Sequence, residues 1–401
     1  MSDRTMQLTA TTSEARSAEQ KILLICARPH LDDAARADLN ALLSSKLDWD
    51  CLIAAAQRHA LLPLLHHHLS KSQLDLVPPA HAKQLKTVFQ ENVARNLVLM
   101  NELRSITQSL QSSGVESFPF KGPVLGLIAY DDPGLRQSVD LDIVVRPTDL
   151  AKAWDCLTAR GYRLTRKLDA RQIQFLISRQ HNLQFARNEG RLMIELHWRI
   201  APKLFAPGFG AEDLWSKLKT INLKGFELRS LPVEELLMTL CVHGARHLWE
   251  RLSWVTDIAA VISATDEIRW TELLAMAKRT HTERILLVGL QLAKELLNAQ
   301  LPPEISKAIA DDAMVATLVE TLTKRICAAE ADNSFPQTFK CHLQMRTGWS
   351  ARLRYFRFAM SPTDGELALM SVPRGFNFLY YALRPWRLLA TRSSRHASQN
   401  P

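Results

Sequence analysis

The chain has 401 residues, of which 47% are apolar and 23% charged, with a formal net charge of +9. That length and composition exclude disorder over most of the chain and allow two or three domains around a sizeable core. No stretch reaches the roughly 18 uninterrupted apolar residues that span a bilayer; even ILLVGLQLAKELL is broken by Gln291, Lys294 and Glu295. The polar start, MSDRTMQLTATTSEARSAEQK, lacks the apolar centre of a secretory signal, so a soluble, cytoplasmic protein is expected. Six cysteines stand singly, without a C-x-x-C pair, which argues against a zinc cluster or a disulfide framework and for reduced, mostly core thiols.

Residues 1–19 read as a disordered N-terminus and 20–113 as a helical domain, in which apolar residues recur at three- and four-residue spacing. Asp48 fits the N-cap of the helix DWDCLIAAAQRHALLPLL. His66, His67 and His68 are adjacent, point in different directions on a helix and so make a poor metal site. The pattern changes near Gly114, and residues 114–230 read as a compact α/β unit of the size of a small catalytic domain. VESFPF is expected as a strand, KGPVLGLIAY as a helix that begins at a glycine, and DLDIVV as a second strand. RPTDLAKAWDCLTARG follows as a helix with Thr148 as cap and Gly161 as stop. HNLQFAR and RLMIELHW read as two further strands joined by the turn NEG. Residues 231–330 read as a C-terminal helical domain. Residues 331–401 read as a basic, aromatic-rich extension: from Lys340 onward ten Lys and Arg face two acids. Such a tail suits nucleic acid, anionic lipid or a polyphosphate, or is simply a solvated basic face.

The strand DLDIVV raises the main question. Side chains at i and i+2 share a face, so Asp140 and Asp142 point together, and burying both is costly unless cations neutralise them. Magnesium is the simplest neutraliser, taking one or two carboxylates with phosphate oxygens and water. Glu195, between Ile194 and Leu196, joins the two aspartates if its strand is a neighbour. Three such acids can hold two ions about 4 Å apart, an arrangement suited to in-line phosphoryl displacement. Alternatively, either aspartate caps the next helix or pairs with Arg136 or Arg146. Upstream, Lys121-Gly122 at a helix start is a place where backbone N–H groups hold an anion.

The run KGPVLGLIAYDDPGLRQSVDLDIVVRPTDLAKAWDCLTARGY, followed by IELHWRI, resembles the bacterial uncharacterised nucleotidyltransferases related to DNA polymerase beta and kanamycin nucleotidyltransferase. DWDCLIAAAQRHALLPLL, HGARHLWERLSWVTDIA and YYALRP look like further segments of that family. The resemblance implies an α+β fold, with a short mixed sheet and helices as the catalytic unit between N- and C-terminal helical domains. It also implies magnesium ions, two in number, on Asp140 and Asp142, with Glu195 as third carboxylate helping to deprotonate an acceptor hydroxyl. Gly122 would admit the triphosphate and Lys121 would contact it. The implied reaction transfers a nucleoside monophosphate from a nucleoside triphosphate, ATP among them, to a sugar, other small molecule, peptide, protein or RNA hydroxyl. Pro123 departs from the family pattern, because it removes an N–H from the first turn. It motivates the alternative of a catalytically inactive nucleotide-sensing or scaffolding protein.

His243 and His247 share a helix face, but Gly244 stands where a zinc-protease helix needs its glutamate. Both are candidates for substrate contact, as is His197, which shares the face of Glu195 and is expected to orient it. Arg251 is a candidate phosphate contact in a cleft with Trp249, Trp254 and Asp257. Arg136 is expected to pair with the first aspartate or to touch the triphosphate.

Overall fold

A computed structural model describes residues 16–72, 74–206, 212–223, 225–328, 334–362, 378–381 and 383–384. Residues 1–15 and most of the basic stretch after 362 lie outside that set. The first helix, α1 (Ala18–Cys26), starts inside the segment expected to be disordered, because Ser17 and Gln20 form a reciprocal capping box. It is followed by α2 (Asp33–Leu43), α3 (Trp49–Arg58), α4 (Leu62–Lys71) and the 34-residue α5 (Pro79–Ser112). Asp48 caps α3 through the Cys51 N–H, as expected. The stretch expected as one helix breaks after α3 at Ala60, whose φ is +57°.

The α/β unit runs β1 (Ser117–Pro119), α6 (Gly122–Tyr130), β2 (Leu141–Val145), α7 (Leu150–Ala159), β3 (Arg163–Leu164), α8 (Ala170–Arg179), β4 (Asn182–Arg187) and β5 (Leu192–His197). Its sheet has the order β1-β2-β5-β4-β3, with β2 and β5 parallel and the other pairs antiparallel. The turn between β4 and β5 sets Asn188, Glu189 and Gly190 at positive φ. Thr148 does not cap α7: Pro147–Asp149 forms a single 3-10 turn ahead of it, and no side chain caps the helix start. A short helix, α9 (Glu212–Trp215), leads into a separate hairpin, β6 (Lys219–Leu223) and β7 (Phe226–Ser230).

Helices α10 (Val233–Arg246), α11 (Leu252–Ser263), α12 (Trp270–Arg279), α13 (Glu283–Leu297), α14 (Pro303–Ala310), α15 (Ala313–Cys327), α16 (Phe335–Gln344) and α17 (Trp349–Ala359) follow, so that the described residues are mostly helical, with one small mixed sheet and one hairpin. The two helical flanks are one body. Ile22, Leu39, Leu65, Leu237, Leu286 and Leu318 belong to a single apolar core, and burying each such side chain contributes about 1.5–3 kcal/mol. His59 ties the flanks further by accepting from the Leu252 N–H at 3.1 Å. A second core lies under the sheet, where Leu99, Leu103, Ile106 and Leu110 of α5 meet Ile143, Phe185 and Ile194.

Residues 335–359 are not an appendage either. His342 donates to the Ala245 carbonyl at 2.8 Å, and Arg346 lies buried over the Phe205 ring. Trp349, Leu353 and Phe356 are exposed on α17 beside Arg352 and Arg357, but most of the basic tail expected to meet an anionic surface lies outside the described residues. Among the described residues no helix is long and apolar enough to cross a membrane. The cysteines are unpaired, with Cys26, Cys241 and Cys341 buried but Cys51 exposed.

Candidate metal and nucleotide site

The parallel pairing of β2 with β5 puts Asp142 directly opposite Glu195, and the antiparallel pairing of β5 with β4 extends that row to Gln184. His197 and Asn182 form the next row on the same face. The result is a fixed cluster. His197 Nε2 lies 3.1 Å from Asp142 Oδ1 and 3.2 Å from Glu195 Oε2. Asn182 and Gln184 each donate to a Glu195 oxygen at 2.7 Å. Ligand atoms of Asp142, Glu195 and His197 fall within 4.8 Å of one another; the two carboxylates suit a hard divalent cation, and the imidazole can join them as a ligand only in its neutral form.

Asp140 stands just before β2, lines the cleft described below and is absent from that three-residue cluster. Arg136 and Arg146 each have a carboxylate partner elsewhere. Arg146 pairs with Glu116 at 3.1 Å and Arg136 with Asp257. The neutralisers are Lys121, whose Nζ is 2.9 Å from Asp142 Oδ1, and His197. Burial opposes the charge of Asp142, yet Lys121 and His197 outweigh it and hold the carboxyl below its usual range. Glu195 is likewise held low against burial, chiefly by His197 and Lys121. A carboxylate that resists protonation is a good cation ligand and a weak base. Burial opposes the charge on His197 too, but Asp142 and Glu195 raise it. Burial and then the Asp142 charge push Asp140 the other way, upward.

Helix α6 starts beside this cluster with Lys121 as its N-cap residue and no side-chain cap. Gly122 has φ +62°, and a Cβ there would meet the Asp140 carbonyl oxygen at a tight 3.1 Å, so both its conformation and its neighbour favour glycine. Pro123 sits in the first turn, where it withholds one N–H.

The cluster opens into a cleft of about 1090 Å³ between α3 and α4 on one side and the ends of α10 and α11 on the other. Lys121, Gly122, Arg136, Asp140, His243, His247 and Arg251 all line it. Arg136 lines it without being free: Nε and Nη2 bind the two Asp257 oxygens at 2.8 and 2.9 Å, and Nη1 donates to the Gly122 carbonyl at 3.1 Å. Arg251 is exposed, with its guanidinium 5.8 Å from the Trp254 ring centroid. His243 and His247 lie 5.1 Å apart by centroid and pack against Trp254. Burial keeps both uncharged, helped by Lys121 at His243 and by Arg246 at His247, which is pushed down to about 3. Gly244 between them makes room for Trp249, whose Nε1 would lie 2.1 Å from an added Cβ.

Three residues that place the site carry no motif. Asn92 and Asn96 of α5 donate to the carbonyls of Gly134, Pro133 and Arg136 at 2.7–3.2 Å, and Arg95 binds those of Ser138 and Val139. Together they hold the loop that delivers β2. Their signal is slight: two amides four apart on a face that otherwise continues as leucine.

The chain belongs to the family described as uncharacterised nucleotidyltransferase, whose pattern matches residues 45–298. No curated protein matches it. The crystal structure of an antigenic nucleotidyltransferase-like protein from Paracoccidioides brasiliensis is similar at 16% identity, covering 54% of this chain and 92% of that one. Its TM-score of 0.29 is too low for the likeness to carry weight.

Proposed function

We propose that the protein transfers a nucleoside monophosphate from a nucleoside triphosphate to an acceptor hydroxyl and releases pyrophosphate. The observation that carries this reading is the register of β2 on β5, which sets Asp142 against Glu195 in the lining of the cleft, next to the start of α6. Asp142 and Glu195, with His197 beside them and Asp140 at the rim, would hold divalent magnesium, two ions when triphosphate is present. The metal would supply positive charge against the phosphates. Gly122 leaves the backbone open to the triphosphate, and the α6 dipole favours its charge. Asn182 and Gln184 hold Glu195 in one orientation. The acceptor oxygen forms a bond to the α-phosphorus, the bond to the β-phosphate bridge breaks, and the acceptor proton leaves to a base or to water.

A second reading, a nucleotide-sensing or scaffolding protein without catalysis, draws support from Lys121, which stands on Asp142, and from Pro123 in the phosphate-facing turn. The two readings separate in one experiment. The four α-labelled nucleoside triphosphates are incubated with magnesium, the protein and a panel of sugar, peptide, protein and RNA acceptors. Label transferred by the wild type and lost with Asp140→Ala, Asp142→Ala supports transfer. Tight nucleotide binding with no pyrophosphate from any acceptor supports the second reading, and transfer that survives the double variant contradicts the first.

A further inference from the structure

The cleft's cations are not equivalent. Arg136 is neutralised by Asp257 and Lys121 by Asp142. Arg246, the last residue of α10, is bound differently. Its Nε and Nη2 donate to His247 Nε2 at 3.2 and 3.0 Å, and its Nη1 donates to His181 Nε2. An arginine can only donate, so both ring nitrogens present a lone pair and both imidazoles are neutral at that bond. Two neutral acceptors orient the guanidinium without cancelling its charge. Among the described residues no carboxylate forms an ion pair with it.

A partly buried cation held without a counter-ion leaves its charge to be met by an anion that enters the cleft. Burial lowers the proton affinity of Arg246, and the charges of Glu195 and then Asp142 only partly restore it. Its position narrows what that anion is. Arg246 lines the large cleft and also a smaller polar pocket of about 280 Å³ beside Thr165, Asn182 and Gln184, and Glu195 and Gln184 line both as well. Arg246 therefore stands where the two spaces meet, at the carboxylate proposed to hold the cation.

We propose that Arg246 is the phosphate-binding arginine of this site: its guanidinium, oriented by His181 and His247, takes an oxygen of the nucleotide's phosphate chain at the end next to Glu195. This inference rests on the nucleotidyl-transfer reading. It also reassigns the role expected of Arg136, whose fork is already filled.

Calorimetry on the whole chain tests it, titrating the four nucleoside triphosphates with magnesium into the wild type, Arg246→Gln and Arg246→Lys, with Mn2+ alone as a second titrant and thermal melting as the fold check. The triphosphate that the wild type binds should lose about tenfold or more in affinity with Gln, the size expected for one charge-assisted hydrogen bond. Lys should recover part of that loss, because it keeps the charge but not the fork. Mn2+ should still bind all three proteins. Wild-type triphosphate affinity in folded Arg246→Gln overturns the inference while leaving the transfer reading standing. If Gln fails to fold, Lys carries the test: affinity equal to that of the wild type overturns it. A wild type that binds no triphosphate removes the transfer reading and this inference with it.

Discussion

The ion pair between Arg136 and Asp257 gives the account its sharpest energetic test. Asp257 on α11 is 2% exposed and accepts Arg136 Nε and Nη2 at 2.8 and 2.9 Å and the Tyr130 hydroxyl at 2.7 Å. Arg136→Gln leaves that carboxylate with the tyrosine as its main support, and Asp257→Asn leaves a guanidinium with two neutral acceptors. Breaking a buried pair from either side costs about 3–5 kcal/mol. The double variant should fall well short of the sum, with a coupling of about 2 kcal/mol or more, because each single change already removes the shared interaction. Urea unfolding of the wild type, both singles and the double measures the cycle, provided the slope with denaturant stays constant. Asp257 does not line the cleft, whereas Arg136 does. If Arg136 serves the fold, both singles lower triphosphate affinity to a similar degree, through the loosened Gly122 carbonyl. A folded Arg136→Gln with an unchanged urea midpoint and lost triphosphate affinity, beside an Asp257→Asn that binds normally, would refute the reasoning.

Other consequences follow from single contacts. Gly122→Ala must adopt φ +62° and press on the Asp140 carbonyl, so melting should reveal a loss of about 1–2 kcal/mol or more, with magnesium-dependent nucleotide binding weakened alongside. Asn96→Ala removes donors to the Pro133 and Arg136 carbonyls, and unfolding should show a cost of about 1–3 kcal/mol although Asn96 does not line the cleft. An unchanged midpoint would show that α5 does not hold the loop. His59, His68 and His342 are buried, and burial pushes each down to about 4 from 6.5. Below pH 6.5 the unfolded chain therefore binds more protons at these sites than the folded one. Their contribution is full above about 6.5 and is lost as pH falls toward 4, about 2 kcal/mol for each at pH 5. His197 and Asp140, both raised, act in the opposite sense, whereas His181, His243 and His247, lowered by burial, add to the fall. Melting from pH 7.5 to 5 should fall steadily, and a melting temperature that rises on acidification would contradict it.

The parts of the site visible in the sequence are those written by strand periodicity. An acid at alternate positions of an apolar run, as in DLDIVV and IELHW, reads at once as a carboxylate on a shared face, and β2 and β5 do lie side by side. Gly122 was legible because glycine at a helix start needs a reason. What escaped depends on partners distant in the chain. Arg136 meets Asp257 121 residues away, and Arg246 meets His181 65 residues away. Nothing local marks either pairing. Two local signals lie outside the motif-bearing strands: the Asp169 to Gln172 capping box of α8, and the strict apolar–polar alternation of Ile221-Asn222-Leu223 and Phe226-Glu227-Leu228-Arg229 that marks the β6–β7 hairpin. The union of the two helical flanks into one core was also hidden, because amphipathic periodicity shows which face is buried but not against what.

The most direct test of the site is calorimetric titration of the four nucleoside triphosphates, with and without magnesium, into the wild type and Asp142→Asn. The account predicts that at least one triphosphate binds the wild type only with magnesium and that Asp142→Asn abolishes this binding while remaining folded. Magnesium-independent binding, or binding that Asp142→Asn leaves intact, would contradict a metal and triphosphate site built on Asp142 and Glu195.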